Sequence, residues 1–228
     1  MRYFLVFFLF GLSLAAQELP PVTNFDPATY GAGNQNWMAT QNSENHIFIA
    51  NNLGLLSYDG EHWRLNKVPN SGPLRSVLSS GQRIYSGGYM DFGFWEATST
   101  GELKYSSLAG LSEEGMIDNE QFWHIEELDD YIVFQSLQRL FIFNQKSKEL
   151  TSLAAGNIIS NLFKLNGKLF FQVAEDGLYF IENGQMTRLL PNSLIQDRPL
   201  VGLFPFQGKM LAATRDDEIG RASCRERV

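Results

Sequence analysis

The chain has 228 residues and a formal net charge of −7 from 25 acidic and 18 basic side chains, an acidic balance with no electrostatic footprint for DNA or RNA. Charged residues are only 19% and aromatics 13%, with 18 Phe, which excludes a disordered chain and suits a β-rich core of large apolar side chains. The single cysteine, Cys224, lies close to the C-terminus and excludes a disulfide framework.

The first segment, 1–16, reads as a secretory signal peptide. Arg2 precedes an unbroken apolar run over 4–12, and Ser13, Ala15 and Ala16 supply small residues for cleavage. The run is too short to span a bilayer comfortably. The mature chain is expected to begin at Ala16 or Gln17, outside the cytoplasmic membrane. A Pro-, Asn- and Gly-rich lead-in follows over 17–36, read as an irregular segment lying over the first structural unit.

From Trp37 the chain repeats. Unit one holds strands at 37–41, 47–50, 55–58 and 63–68, with breaks at Asn51-Asn52 and Asp59-Gly60. The Asp-Gly pair predicts a type I′ hairpin, because Gly accepts the positive φ that such a turn needs. Unit two holds strands at 74–78, 83–86, 93–96 and 103–106, with a lengthened loop over 87–92. Unit three has 121–127, 131–136, 140–144 and 149–153. Unit four has 158–165, 168–174, 178–181 and 186–190, with turns at Asn166-Gly167, Asp176-Gly177 and Asn183-Gly184. Unit five shows only 200–206 and 209–214.

Corresponding strands recur every roughly forty residues, a period that marks propellers and solenoids. Four strands per unit without a helical pattern predict an all-β fold, an incomplete β-propeller of about four full blades and part of a fifth over 37–217. A two-sheet sandwich is the alternative. It would leave unexplained the in-phase recurrence of Gly54-Leu55-Leu56-Ser57-Tyr58 and Gly177-Leu178-Tyr179-Phe180. Residues 218–228 are polar and basic, unrelated to the repeat, and read as an in-frame translation of sequencing-adapter DNA. They are set aside as a non-native scar, with the fifth unit cut. That cut should leave an apolar face uncovered among Phe204, Phe206, Met210 and Leu211, and the chain prone to aggregate.

Catalytic chemistry has little support. His46, His62 and His124 stand in unrelated contexts, and there is no His-x-His, Cys-x-x-Cys, G-x-S-x-G or phosphate loop. Glu126, Glu127, Asp129 and Asp130 cluster, but in what reads as a solvated turn; a general acid/base pair needs two separated environments. No cofactor and no metal are expected. In a propeller the first strands line the channel, and their entry loops share a rim with the loops joining second to third strands. Those positions hold Gln35, Asn51, Asn52, Arg75, Tyr89, Asp91, Trp123, Gln135 and Arg198. Amides, a guanidinium and aromatic faces suit a small polar ligand such as an oligosaccharide. The competing reading makes Trp37, Trp95 and Trp123 inter-blade core and Asn51-Asn52 a plain turn.

Gly54 to Gly60 and Asp176 to Phe180 resemble the two-component regulator propeller repeat. The order Tyr30-Gly31-Ala32-Gly33-Asn34-Gln35-Asn36-Trp37, Asn51 to Leu56, Arg75-Ser76, Ile84 to Tyr89 and Phe92-Gly93-Phe94-Trp95 is more specific. It resembles the sensor end of membrane-spanning LuxR-type regulators with a triple-tyrosine domain. That resemblance implies a periplasmic sensor propeller without catalytic activity. It further implies a triple-tyrosine sandwich, one membrane helix, a coiled coil and a DNA-binding helix-turn-helix, all C-terminal to this chain, and a homodimer in the full-length protein. Related sensors carry a histidine-kinase output instead. The rival functions are a secreted propeller enzyme acting on polysaccharide, a lyase or hydrolase, and an interaction scaffold.

Overall fold

The computed structural model describes residues 21–69, 72–182 and 184–215, and residues 222–226 as backbone. The expected signal peptide lies outside these residues, as does the Asn183 half of one predicted turn. After a short helix α1 (Pro27–Tyr30) come β1 (Asn36–Gln41), β2 (Ile47–Asn51), β3 (Gly54–Tyr58) and β4 (Trp63–Asn66), paired in that order as one antiparallel sheet. The second sheet is β5 (Leu74–Ser80), β6 (Arg83–Gly88), β7 (Phe92–Ala97) and β8 (Leu103–Ser107). The third is β9 (His124–Leu128), β10 (Tyr131–Gln135), β11 (Arg139–Asn144) and β12 (Leu150–Ala154). The fourth is β13 (Ile159–Leu165), β14 (Lys168–Val173), β15 (Gly177–Glu182) and β16 (Gln185–Pro191), followed by a one-turn helix α2 (Asn192–Ile195). The fifth is β17 (Leu200–Phe206), β18 (Lys209–Arg215) and β19 (Ala222–Glu226). The first strands β1, β5, β9, β13 and β17 neighbour one another in turn, so they are innermost and the sheets are consecutive propeller blades.

Strand alternation decides which core each side chain enters. In blade three, Ile132, Phe134, Phe141 and Phe143 pack with Tyr85 and Phe92 of blade two. The intervening Val133, Leu140 and Ile142 face the other way and pack with Leu162, Leu169 and Phe171 of blade four. Two-residue periodicity thus places both faces of a blade in apolar contact. Phe92, Phe122, Phe134 and Phe141 meet as tilted and edge-on rings 4.5–5.4 Å apart between blades two and three. Trp95 is core as well, buried between blades one and two with its Nε1 donating to Ser86 Oγ at 2.8 Å. The lead-in is anchored on the outer side of blade one, where Phe25 and Tyr30 lie against Trp63 at 5.3 and 5.8 Å.

Several local expectations change. Asn166-Gly167 is a tight two-residue hairpin with φ of 50° and 72°, as a type I′ turn requires. Asp59-Gly60 is not. Its connection spans four residues, and the Asp59 carboxylate closes it by accepting from the Glu61 and His62 amides at 3.0 and 2.7 Å. The loop expected over 87–92 is shorter, because Gly87 and Gly88 extend β6 and only Tyr89 to Asp91 connect it to β7. A Cβ on Gly87 would stand 2.6 Å from that of Phe122, so this close approach of blades two and three needs glycine. The long connection is instead 108–123, between β8 and β9. Glu126 and Glu127 belong to β9 rather than to the turn. Residues 222–226, set outside the fold on sequence grounds, pair with β18 as a third strand; an open strand edge accepts any extended backbone. Phe204 and Phe206 are exposed, whereas Met210 packs inward against the core between blades four and five.

Candidate functional site on the channel rim

The site is built by a repeated irregularity. In β1 the register with β2 skips Trp37, and in β5 the register with β6 skips Arg75. The same shift recurs at the start of β13 and β17. A β-bulge carries one extra residue and re-aims its side chain out of the ladder. Trp123 occupies the matching place before β9, its amide donating to Gln135 O at 2.9 Å. Three adjacent blades therefore bring Trp37, Arg75 and Trp123 to one place.

There the guanidinium of Arg75 lies over the Trp37 ring at 4.4 Å and near the Trp123 ring at 5.4 Å. The two indoles meet edge-to-face with centroids 5.8 Å apart. Arg75 Nε donates to Gln121 Oε1 at 2.9 Å, and Nη1 to Asn52 Oδ1 at 2.7 Å. Asn52 Oδ1 also accepts from Trp37 Nε1 at 2.8 Å, and Asn52 Nδ2 donates to Gln35 Oε1. Stacking and amide bonds fix the fork of Arg75 in one orientation. Trp37 and Gln35 are exposed, and Arg75, Asn52, Gln121 and Trp123 half-buried, so the cluster is open to solvent. Partial burial lowers the Arg75 pKa from its ordinary value. A groove of about 130 Å³ adjoins it, lined by Asn119, Gln121, Trp123 and Leu137 among others.

Of the residues expected at the rim, Gln35, Asn52, Arg75 and Trp123 come together. Tyr89 stands beside them: it bridges Gln121 through the backbone, and its hydroxyl donates to Asn119 Oδ1 at 2.9 Å. The others do different work. Asn51 is fully buried and straps the lead-in, accepting from Gly33 N and donating to Gly33 O and Asn36 Oδ1. Asp91 is buried and accepts from Ser107 Oγ at 2.6 Å. Gln135 is buried and donates to Ile159 O at 3.0 Å, tying blade three to blade four. Arg198 lies at the entry to blade five, where its carbonyl accepts from Gln172 Nε2 at 3.0 Å.

Four residues went unread as parts of this rim. Trp37 was weighed as core but is 45% exposed. Gln121, expected to open the first strand of unit three, lies instead in the connection before β9. In the same connection Glu120 grips Arg139 in a buried ion pair, both side chains 5% or less exposed. Arg139 Nη2 also donates to Gly115 O at 2.9 Å. The sequence did carry a sign of this pair: Arg139-Leu140 stands where blades one and four have Gly54-Leu55 and Gly177-Leu178. Those glycines adopt φ of 140° and 149°, and a Cβ on either would meet a carbonyl oxygen of the fourth strand within 2.4 Å. Among the described residues, no cluster of three His, Cys, Asp or Glu side chains could hold a metal ion.

No family model and no curated protein matches the chain. Solved structures do. The extracellular domain of the hybrid two-component system BT3049 from B. thetaiotaomicron aligns with a TM-score of 0.59 at 16% identity, over 88% of this chain and 27% of its own. That of BT4673 from the same organism, described both as a one-component and as a hybrid two-component system, gives 0.56 at 17%, over 78% and 25%. Apo AztD from Citrobacter koseri gives 0.53 at 9%, over 78% and 53%. The chain thus spans about a quarter of the length of the first two. At these identities the likeness is one of fold.

Proposed function

We propose that this chain belongs to an extracytoplasmic sensor propeller that binds a small polar ligand, such as an oligosaccharide, on the rim formed by blades one to three. The observation that carries the reading is the Arg75 cluster: a guanidinium fixed between two indole rings and two amides, yet open to solvent. Fixed polar groups beside flat apolar faces match the two surfaces of a sugar ring. The names of the BT3049 and BT4673 domains, extracellular parts of signalling systems, support a sensor. Ligand binding would bias a two-state arrangement read by an output on the other side of the membrane.

The finer reading is a periplasmic sensor of a LuxR-type regulator, exported by residues 1–16. Its triple-tyrosine domain, membrane helix and DNA-binding output would lie C-terminal to this chain, and it would work as a homodimer. A histidine-kinase output has equal support, since one of the similar domains is described under both system types. The test is a transcriptional reporter driven by the full-length protein, with Arg75→Ala and Tyr89→Ala compared with the parent. The expected result is an unaltered melting temperature with a lost response. Unfolding of both variants would make these residues structural and place ligand recognition elsewhere.

A further inference from the structure

Four arginines carry their own counter-charge. Arg64 lies 3.8 Å from Asp59, Arg83 2.7 Å from Glu96, Arg188 2.9 Å from Asp176, and Arg139 is held by Glu120. Arg75 differs. Among the described residues no carboxylate forms an ion pair with it, and its partners are neutral amide oxygens and indole faces. Arginine stays protonated at any physiological pH, so a fixed positive charge stands on this rim with no ion-pair partner among the described residues.

The hydrogen-bonding capacity around it is rich in donors. Trp37 Nε1 and the Arg75 nitrogens can only donate, so the amides of Asn52 and Gln121 must turn their oxygens toward them. Asn52 Oδ1 is thereby engaged twice, Gln121 Oε1 once, and Gln35 Oε1 by Asn52 Nδ2. Among the described residues the nitrogens left uncommitted are Arg75 Nη2, Gln121 Nε2 and Gln35 Nε2, against one remaining lone pair on each of Gln121 Oε1 and Gln35 Oε1. Trp123 Nε1, buried beneath that surface, has no hydrogen-bond partner among the described residues. Three amide side chains and an arginine thus leave a surface of N–H groups around one cation. A neutral sugar hydroxyl would use such donors through its lone pairs and could give its own proton to the remaining lone pair of Gln121 Oε1 or Gln35 Oε1, but it would leave the cation without a countercharge. A carboxylate or sulfate has only acceptors and forms the stronger, charge-assisted bonds. The net charge of −7 provides no long-range attraction for an anion, so selection would be local.

We propose that the ligand of the Arg75 cluster presents an oxyanion, a carboxylate or sulfate carried on a sugar ring, with the oxyanion on the guanidinium and the ring on the indole faces. This rests on reading the cluster as the ligand site. Any such site must also take the bare oxyanion weakly, whatever the sugar.

The experiment titrates the full chain with sodium acetate and with sodium sulfate, against sodium chloride at equal ionic strength. It follows the indole N–H resonances of Trp37 and Trp123 by NMR. Galacturonate and galactose oligomers of equal length form the second arm. A saturable shift with acetate or sulfate beyond that of chloride is expected, and the responsive anion identifies the group. Galacturonate should bind at least about tenfold tighter than galactose, the ratio one charge-assisted bond commonly provides. Two variants guard against misfolding. Arg75→Gln removes the charge. Gln121→Glu keeps the bond to Arg75 Nε but installs the missing counter-charge, so it should abolish the oxyanion response while the melting temperature holds or rises. No saturable shift with either oxyanion, or a shift that survives Gln121→Glu, overturns the proposal. If galactose oligomers alone shift the indoles and Arg75→Gln abolishes that, the oxyanion falls and the ligand site stands. Silence of both indoles toward every probe defeats the oxyanion and counts against the site as well.

Discussion

Arg139 and Arg75 are served by consecutive residues of one connection, and the contrast between them shows how this rim divides its labour. Glu120 turns inward to Arg139, and the ion pair is buried against the Phe141 ring at 4.7 Å. Gln121 turns to Arg75, which stays half-open between Trp37 and Trp123. A buried guanidinium must have a countercharge, because its desolvation is otherwise uncompensated. A half-exposed one keeps part of its hydration and can stand on neutral amides. The difference between an anchor and a candidate recognition group is thus one carboxylate against one amide on adjacent positions. The anchor also steadies the candidate recognition group. Glu120 accepts from Ile117 N at 3.0 Å, and its carbonyl accepts from Met90 N at 2.8 Å, so Arg139 fixes the connection that carries Gln121.

The sharpest way to break the contrast is Arg139→Ala. It strands the Glu120 carboxylate in a site where that side chain is 3% exposed, and stability should fall by ~3–5 kcal/mol, read by urea unfolding. The double change Arg139→Met with Glu120→Gln removes both charges and should recover most of that loss, to within ~1–2 kcal/mol of the parent. A double variant as unstable as the single one would show that the pair holds the rim by packing rather than by charge. Arg75→Ala should cost only about 1 kcal/mol, the scale of its stacking and two half-exposed hydrogen bonds. A loss as large as that of Arg139→Ala would make Arg75 a second anchor.

The blades were legible because their code is local. Alternation in Tyr131 to Gln135 and in Arg139 to Asn144 sends successive side chains to opposite cores, and Asn166-Gly167 has the backbone freedom its turn needs. Four members of the rim cluster were legible too, through the place of Gln35, Asn52, Arg75 and Trp123 in the repeat. The bulges were not. A single skipped residue at Trp37 or Arg75 leaves the apolar pattern on both sides intact, so nothing in alternation marks it. Gln121 and Glu120 escaped for another reason: 121–127 reads as one strand, but β9 begins only at His124, and the stretch before it is set by tertiary bonds to Arg139 and Gly88. Asp59-Gly60 shows the limit of dipeptide rules, since the Asp carboxylate captured the backbone amides that a tight turn would have arranged otherwise.

The smallest effect concerns a third charged group on the same rim, Asp91, whose surroundings differ from both arginines. Its carboxylate is held by the Ser107 hydroxyl at 2.6 Å, with the Tyr105 hydroxyl and the Phe92 amide also stabilising the charged form. Burial outweighs these and raises its pKa above the ordinary 3.8. Tyr105 responds in kind, its own pKa raised by burial first and by Asp91 second. A carboxyl whose folded-state pKa is raised binds its proton more tightly in the folded chain. The stability this contributes is fully present below about 3.8 and is lost as pH rises through the folded-state value. Asp91→Asn keeps the shape and an acceptor for Ser107 but cannot ionise. Its stability relative to the parent should therefore rise from about pH 4 to about pH 7, by no more than about 1 kcal/mol. Urea unfolding of both proteins across that range measures it. Parallel profiles would show that the hydroxyls fully offset burial, and that this rim tolerates an anion as readily as Glu120 tolerates its arginine.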